Sequence, residues 1–437
     1  MERKAIVCCT LSLLLASCGG GGGTFVTDTA SSTGTPGITG TTGTSSSQTD
    51  GQLPLSLIQA TDGNFYGVTR YGGTNGVGTI FRLTTAGVET VLYSFAGGTA
   101  DGAYPWGLIQ GSDGNFYGTT EGGGVQTCSV PNSSGSGTTT GACGVVFKMT
   151  STGEESVVYS FTGQSDGSVP TGRLIQASNG SLYGTAQFGG LSNSTDCPIG
   201  CGVVYQVTLG GTESALYNFK GSATGDGQDP TSVTLGTDGN LYGTTVSGGP
   251  GNFGTVFQVT IGGIETVLYS FLGTTDGNYP GAPLTEGADG SFYGTALFGG
   301  TGFGTVFNVT TAGVETTLYS FKGTPDGATP AGRPLVLATD GDFYGATDDG
   351  GSVTTCSSGC GTVFSLTTGG TESILYNFPA AGTTTSPLNP GPEVLIQGSN
   401  GTLYGTTVAD GQYGYGTVYS MSLSGTKTVL YSFGAPN

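Results

Sequence analysis

The sequence predicts an all-β protein, a seven-bladed β-propeller of four-stranded antiparallel blades. Three observations lead there. One unit of about 51 residues recurs seven times. Each copy holds four short runs rich in Val, Ile, Thr, Tyr and Phe. Those runs carry apolar side chains on both faces.

The repeat is marked by an aromatic-or-Leu, Tyr, Gly triplet, with tyrosines at Tyr66, Tyr117, Tyr183, Tyr242, Tyr293, Tyr344 and Tyr404. Their spacings are 51, 66, 59, 51, 51 and 60, so a base period of 51 carries insertions in some copies. The first copy shows the order. Leu57-Ile58-Gln59 belongs to run a, followed by the turn Asp62-Gly63-Asn64. Phe65 to Thr69 is run b, and Gly72-Gly73 breaks it. Thr79 to Thr84 is run c, Ala86-Gly87 turns the chain, and Thr90 to Phe95 is run d. No helical period and no capped helix start accompany them. In run d, Val91, Tyr93 and Phe95 face one way, Leu92 and Ser94 the other; in run c, Phe81 and Leu83 oppose Ile80. A sheet apolar on both faces must be covered on both, which stacking between two like sheets achieves. Seven such sheets fall within the usual range of about 4–8 blades. The rival, a linear β-solenoid, usually has shorter coils of about 20–30 residues. The repeats begin with run a and end with run d, so ring closure rests on packing of the last blade against the first, unless the preceding segment adds a strand.

Composition agrees with a turn-rich repeat. Of 437 residues 87 are Gly, and Asp-Gly or Asn-Gly pairs recur between runs a and b, from Asp62-Gly63 to Asn400-Gly401. Such pairs supply the positive φ of tight hairpins. Lys plus Arg number 10 and Asp plus Glu 29, a net charge of −19, with no His. The absence of His excludes Ser-His-Asp triads, Cys-His pairs and His-ligated metals. The scarcity of cations excludes a phosphate-binding surface for nucleic acid.

Ahead of the repeats, Arg3 and Lys4 precede an uncharged run from Ala5 to Leu15. That run is too short to span a bilayer, which needs about 20 residues, and reads as a secretory signal peptide over 1–17. Leu15-Ala16-Ser17-Cys18 resembles the lipobox of bacterial lipoproteins, which implies cleavage before Cys18 and lipidation of its thiol. Gly19 rather than Asp after the Cys resembles sorting to the outer membrane or cell surface. Cleavage leaves 8 cationic against 28 acidic side chains, a net −20. Residues 18–52 are almost wholly Gly, Ser and Thr and read as a flexible tether; residues 53–437 form the propeller.

The patterns Asp-Gly-Asn-Phe-Tyr-Gly-Thr-Thr at 113–120, Gly-Thr-Val-Phe at 254–257 and 304–307, and Thr-Val-Leu-Tyr-Ser-Phe at 266–271 and 428–433 resemble the GloVer repeat. The resemblance runs over 55–433. It implies an exported bacterial propeller with one of several alternative anchors. It implies no catalytic residues.

In an antiparallel meander the b–c turns and the d-to-a crossovers share one edge. Length variation concentrates there: 30 residues separate Tyr117 from Phe147 and 22 separate Tyr183 from Tyr205, against 15 from Tyr66 to Phe81. In repeat proteins such a face is often the binding face, although insertions are also simply tolerated on it. The candidate binding residues are Arg70, Tyr71, Glu121, Gln187, Phe188, Phe298, Asp348 and Asp349 at the ends of run b, and Trp106, assigned to the first crossover. Packing between blades is the competing reading for the aromatic members. Asp348 and Asp349 are adjacent and point to opposite faces, so they alone do not make the two facing carboxyls of a glycosidase. The crossover residues Asp101, Asp166, Asp226, Asp276 and Asp326, each before Gly, read as turn formers. Most of these loops offer one carboxylate, a weak case for Ca²⁺, and no cofactor or metal ligand set is assigned.

Nine cysteines divide into Cys8 and Cys9 in the signal peptide, Cys18 at the lipobox, and three local pairs: Cys128 with Cys143, Cys197 with Cys201, and Cys356 with Cys360. Each pair lies in one b–c loop, and three disulfides suit an oxidising, exported location. A Cys₄ zinc site between blades two and three would strand the third pair. The functional expectation is a lipid-anchored, non-enzymatic module that offers its variable face to protein or glycan. The alternatives are a polysaccharide-acting hydrolase or lyase on the same face and a structural envelope protein without a specific ligand.

Overall fold

The computed structural model describes residues 50–131, 138–191, 197–330, 332–353, 355–383, 386–388 and 391–434. The signal peptide, Cys18 and most of the tether lie outside the described residues. Blade one pairs Gly51–Gln59 (strand a), Phe65–Gly72 (b), Thr79–Leu83 (c) and Glu89–Ser94 (d) in that order. Six further sheets repeat the order and give a seven-bladed propeller. Strand a therefore opens two residues inside the segment read as tether. The one helical element among the described residues is a single 3₁₀ turn, Ser222–Thr224, and no helix among them is long and apolar enough to cross a membrane.

The core is seven layers between blades. Ile58, Tyr66, Ile80 and Phe95 of blade one pack with Phe116, Phe147 and Met149 of blade two. Leu57, Phe65 and Phe81 on the other face of blade one pack with Tyr404, Val418 and Phe433 of blade seven. One such cluster fills each interface, which is why the strands carry apolar groups on both sides. Among the described residues closure uses no exchanged strand. Phe65 packs tilted against Tyr404 with centroids 4.3 Å apart, and Leu53 N–H donates to the Tyr415 carbonyl at 3.0 Å.

The marker triplet has a local cause. In five blades its tyrosine donates to the aspartate of the preceding turn, as Tyr66 Oη does to Asp62 at 2.9 Å and Tyr117 Oη to Asp113 at 2.8 Å; in blades three and seven an asparagine amide donates to the tyrosine instead, Asn179 to Tyr183 Oη at 2.7 Å and Asn400 to Tyr404 Oη at 2.9 Å. Its glycine admits the neighbouring strand: a Cβ on Gly67 would lie 2.2 Å from the Ser56 carbonyl oxygen. The crossover aspartates do more than turn the chain. Asp101 accepts from Tyr93 Oη at 3.0 Å and from the Ala96 and Gly102 amides. Asp166, Asp226, Asp276 and Asp326 hold Tyr159, Tyr217, Tyr269 and Tyr319 in the same way. Each bond fastens the outer strand of one blade to the start of the next.

Three disulfides, Cys128–Cys143, Cys197–Cys201 and Cys356–Cys360, close the b–c loops of blades two, three and six, with Cα separations of 5.3, 5.2 and 5.3 Å. In blade two the disulfide ties the base of an added hairpin, Thr127–Pro131 with Thr138–Ala142.

Candidate functional site

The inner strands of all seven blades surround one axial cavity of about 120 Å³, lined by residues that include Leu55, Trp106, Arg173, Thr231, Pro283 and Glu393. Two devices shape it. A bulge interrupts the inner strand: Pro54 pairs with Thr69 but Ser56 with Val68, so Leu55 leaves the ladder and faces the axis. Blade two repeats this between Pro105 and Gly107, which releases Trp106. Trp106 thus belongs to strand a of blade two, Gly102–Gln110, and not to the crossover. The sequence marks run a by its Leu-Ile-Gln triplet, here Leu108-Ile109-Gln110, whereas the strand begins six residues earlier at Gly102.

The second device is a ring of left-handed residues just before the inner-strand prolines: Leu53, Tyr104, Val169, Asp229, Tyr279 and Thr329, with φ between 52° and 58°, and Gly391 at 55°. In blades one to six the N–H donates to a b–c loop carbonyl of the preceding blade, as Tyr104 does to Val77 at 2.8 Å. Non-glycine residues are rarely left-handed, and these stand at the channel mouth on the b–c side. The sequence signal was a variable residue before a proline that recurs at a fixed offset.

Four of the predicted residues come together at that mouth. The Arg70 guanidinium donates twice to Glu121, at 2.7 and 2.6 Å. It stands 5.8, 5.9 and 5.6 Å from the ring centroids of Tyr71, Tyr104 and Trp106, within cation–π range. Burial works against the Arg70 charge, but Glu121 outweighs it and holds the pKa above the usual arginine value. Tyr71 is 38% exposed and meets Tyr104 edge-on. Tyr104 is the member the sequence reading missed.

The other predicted residues lie elsewhere. Gln187 and Phe188 are buried, Gln187 against the axial cavity. Phe298 is half-buried, edge-on to Tyr279 at 6.2 Å. Asp348 joins Arg333 at 2.9 Å, and the same Nη2 reaches Glu393 at 2.9 Å. Burial first, and Glu393 and Asp349 with it, push the Asp348 carboxyl up to about 7 in spite of Arg333. Asp349 accepts from Thr329 Oγ1 at 2.9 Å. Among the described residues no three His, Cys, Asp or Glu side chains stand together to hold a metal ion.

Fold and site define an all-β repeat propeller with an aromatic-lined axial mouth. The chain belongs to the Gloeobacter/Verrucomicrobia repeat family, whose model matches residues 17–136 and 129–357. No curated protein matches the sequence. Among solved structures, virginiamycin B lyase from Staphylococcus aureus is similar at 17% identity and a TM-score of 0.53, over 81% of this chain and 91% of that one. The extracellular domain of a protein described as a hybrid two component system, from B. thetaiotaomicron, is similar at 12% identity and a TM-score of 0.51, over 85% of this chain. The match spans 40% of that second protein's chain. At these identities the likeness is one of fold.

Proposed function

We propose that this protein is an exported, lipid-anchored binding propeller that takes a glycan or protein ligand at the b–c mouth of its axis. The observation that carries the reading is the cluster of Arg70, Tyr71, Tyr104, Trp106 and Glu121. Aromatic rings are held there by a cation that is itself locked to a carboxylate at 2.6–2.7 Å. Such a cluster gives rigid, amphipathic contact surface at little entropic cost. It lacks the nucleophile-and-base arrangement of covalent catalysis. The lipobox and the three disulfides support an oxidising compartment and a membrane anchor through Cys18.

A glycan array and a peptide display screen against the full chain test the reading. Binding should fall at least tenfold in Tyr71→Ala and Trp106→Ala with the melting temperature held. Equal binding by both variants overturns the mouth as the site.

A second reading has its own observation. Arg333 Nη2 bridges Asp348 and Glu393, so two carboxylate oxygens stand within about 6 Å, near the separation that retaining glycosidases use. Turnover of a surface polysaccharide, lost in both Asp348→Asn and Glu393→Gln, favours that enzyme over the binding module.

A further inference from the structure

Arg173 differs from the other described arginines. Arg70 holds Glu121, Arg333 holds Asp348 and Glu393, and Arg82 acts on Asp62 and Tyr66. Arg173 has no hydrogen bond or ion pair among the described residues. Arg173 is exposed, so its charge is solvated, and in a chain of net charge −19 it stands beside no carboxylate among the described residues.

The backbone puts it there by an insertion. In blades one, two and four, two residues separate the inner-strand proline from the next ladder apolar residue: Leu55-Ser56, Trp106-Gly107 and Thr231-Ser232. Blade three has three, Thr171-Gly172-Arg173, between Pro170 and Leu174. The register skips accordingly, with Thr171 opposite Thr185 and Ile175 opposite Tyr183. Gly172 makes the longer bulge possible: its φ is +80° and a Cβ would lie 2.2 Å from the Thr231 carbonyl oxygen. Arg173 therefore leaves the ladder and stands in the axis. It lines both the 120 Å³ cavity and an open cavity of about 550 Å³ at the a–b-turn end, beside Gln59 and Gln110. Its side chain is exposed to the solvent of the channel, and the protein around the channel lowers its pKa with no carboxylate opposing.

The remaining wall of the smaller cavity is largely apolar, with Leu55, Leu57, Leu108, Val394 and Leu395 beside Trp106. The other charge there, Glu393, is already tied to Arg333. A dry cavity of about 150 Å³ is enough for benzene, so this one suits a ligand of similar bulk. We propose that the axial channel binds a small monocarboxylate with a compact apolar body, of about the size of benzoate. Arg173 holds the carboxylate, and Trp106, Leu55 and Val394 enclose the body. A guanidinium suits a carboxylate because its two parallel N–H groups match the two oxygens. The site shares Trp106 with the aromatic mouth and reaches from it along the axis to Arg173, but it does not depend on the function proposed above.

Calorimetric titration of the full chain with benzoate, phenylacetate and 3-methylbutanoate tests this. At least one should bind saturably, and Arg173→Gln should weaken it by about tenfold or more. Benzyl alcohol should bind weakly and equally to both proteins. In the unaltered chain, phenylglyoxal should label Arg173, and the bound carboxylate should protect it while inorganic phosphate does not. This arm needs no variant to fold. Absence of binding by all three carboxylates, equal affinity in Arg173→Gln, unprotected labelling, or equal protection by phosphate each overturns the proposal. Glycan or peptide binding at Tyr71 that persists in Arg173→Gln leaves the mouth reading standing by itself.

Discussion

The Tyr431 hydroxyl donates to the Asp50 carboxylate at 3.0 Å across 381 residues of chain. Asp50 also accepts from the Gly434 and Gly51 amides, at 2.9 and 2.7 Å. The last outer strand is thus fastened to the first inner strand by the same tyrosine–aspartate bond that joins Tyr93 to Asp101. At the junction of blades six and seven the device changes. Lys427 there binds Asp410 at 2.8 Å and lies 5.4 Å from the Tyr376 ring centroid. Hydrogen bonds to charged groups contribute about 1.5–3 kcal/mol. Tyr431→Phe should therefore cost about 1–2 kcal/mol in urea unfolding, and Tyr376→Phe clearly less. Equal losses would show that the aspartate contributes nothing particular to closure.

Partly buried glutamates next to Asp50 and the crossover aspartates create a pH dependence. Burial, and then the charge of Asp50, push Glu89 up to about 8. Burial and Asp101 push Glu155 up to about 7, and Glu213, Glu265 and Glu372 behave alike. A carboxyl whose folded pKa exceeds its unfolded value favours the fold when protonated. Its stabilisation is full below about pH 4.5 and is lost as pH rises through 7–8. The turn residues Asp62, Asp113, Asp238 and Asp289 run the other way, with lowered values that matter only below about pH 4. The melting temperature should accordingly fall from pH 5.5 to pH 8.5. Glu89→Gln combined with Glu155→Gln should raise it at pH 8.5 and flatten the slope. A slope of the same steepness in the double variant would assign the effect to other groups.

Val169 tests the ring of left-handed residues. A β-branched residue at φ 56° carries strain of about 1–2 kcal/mol, and asparagine tolerates that conformation. The hydrogen bond that the Val169 N–H donates to the Cys143 carbonyl is preserved in any substitution but proline. Val169→Asn should raise stability by about 0.5–1 kcal/mol, read as an upward shift in the thermal melt. A downward shift would mean that the Val169 side chain contributes more by packing than the backbone loses by strain.

The repeat made most of the fold legible. Tyrosines at a 51-residue base period, Asp-Gly turns and two-faced apolar strands required stacked four-stranded sheets, and those sheets stand where the sequence put them. The local cysteine pairs were equally readable, because each lies within one loop. The axis was not. A bulge that frees Leu55, Trp106 or Arg173 depends on a register slip between strands a and b, and period-2 reasoning assumes that no slip occurs. Pairing across blades, such as Arg70 with Glu121 at 51 residues' separation, follows from ring geometry that no single unit encodes. For the same reason Gln187 and Phe188, which end strand b as Arg70 does, are buried.

The proposed anchor predicts a partition. Cys18→Ser should move the protein from the detergent phase to the aqueous phase in phase separation and abolish labelling by a fatty-acid analogue, because stable anchoring rests on the acyl chains. Non-reducing mass spectrometry of the same preparation should find Cys128, Cys143, Cys197, Cys201, Cys356 and Cys360 without free thiols. Membrane retention of Cys18→Ser would refute lipidation as the anchor.

Arg333 separates structure from chemistry at the blade six–seven junction. Its buried guanidinium stands between Asp348 and Glu393, each at 2.9 Å. Removing it leaves two buried carboxyls facing each other, and breaking a buried ion pair on one side costs about 3–5 kcal/mol. Arg333→Met should therefore unfold at much lower urea. Asp348→Asn removes one carboxylate and keeps a polar partner for Arg333, so it should change stability far less. Because Asp348 titrates near 7, its neutralisation resembles the state the fold already favours in mild acid, and the Asp348→Asn penalty should shrink further at pH 5.5. Comparable losses in the two variants at both pH values would mean that Arg333 is held by packing of its stem rather than by the two carboxylates.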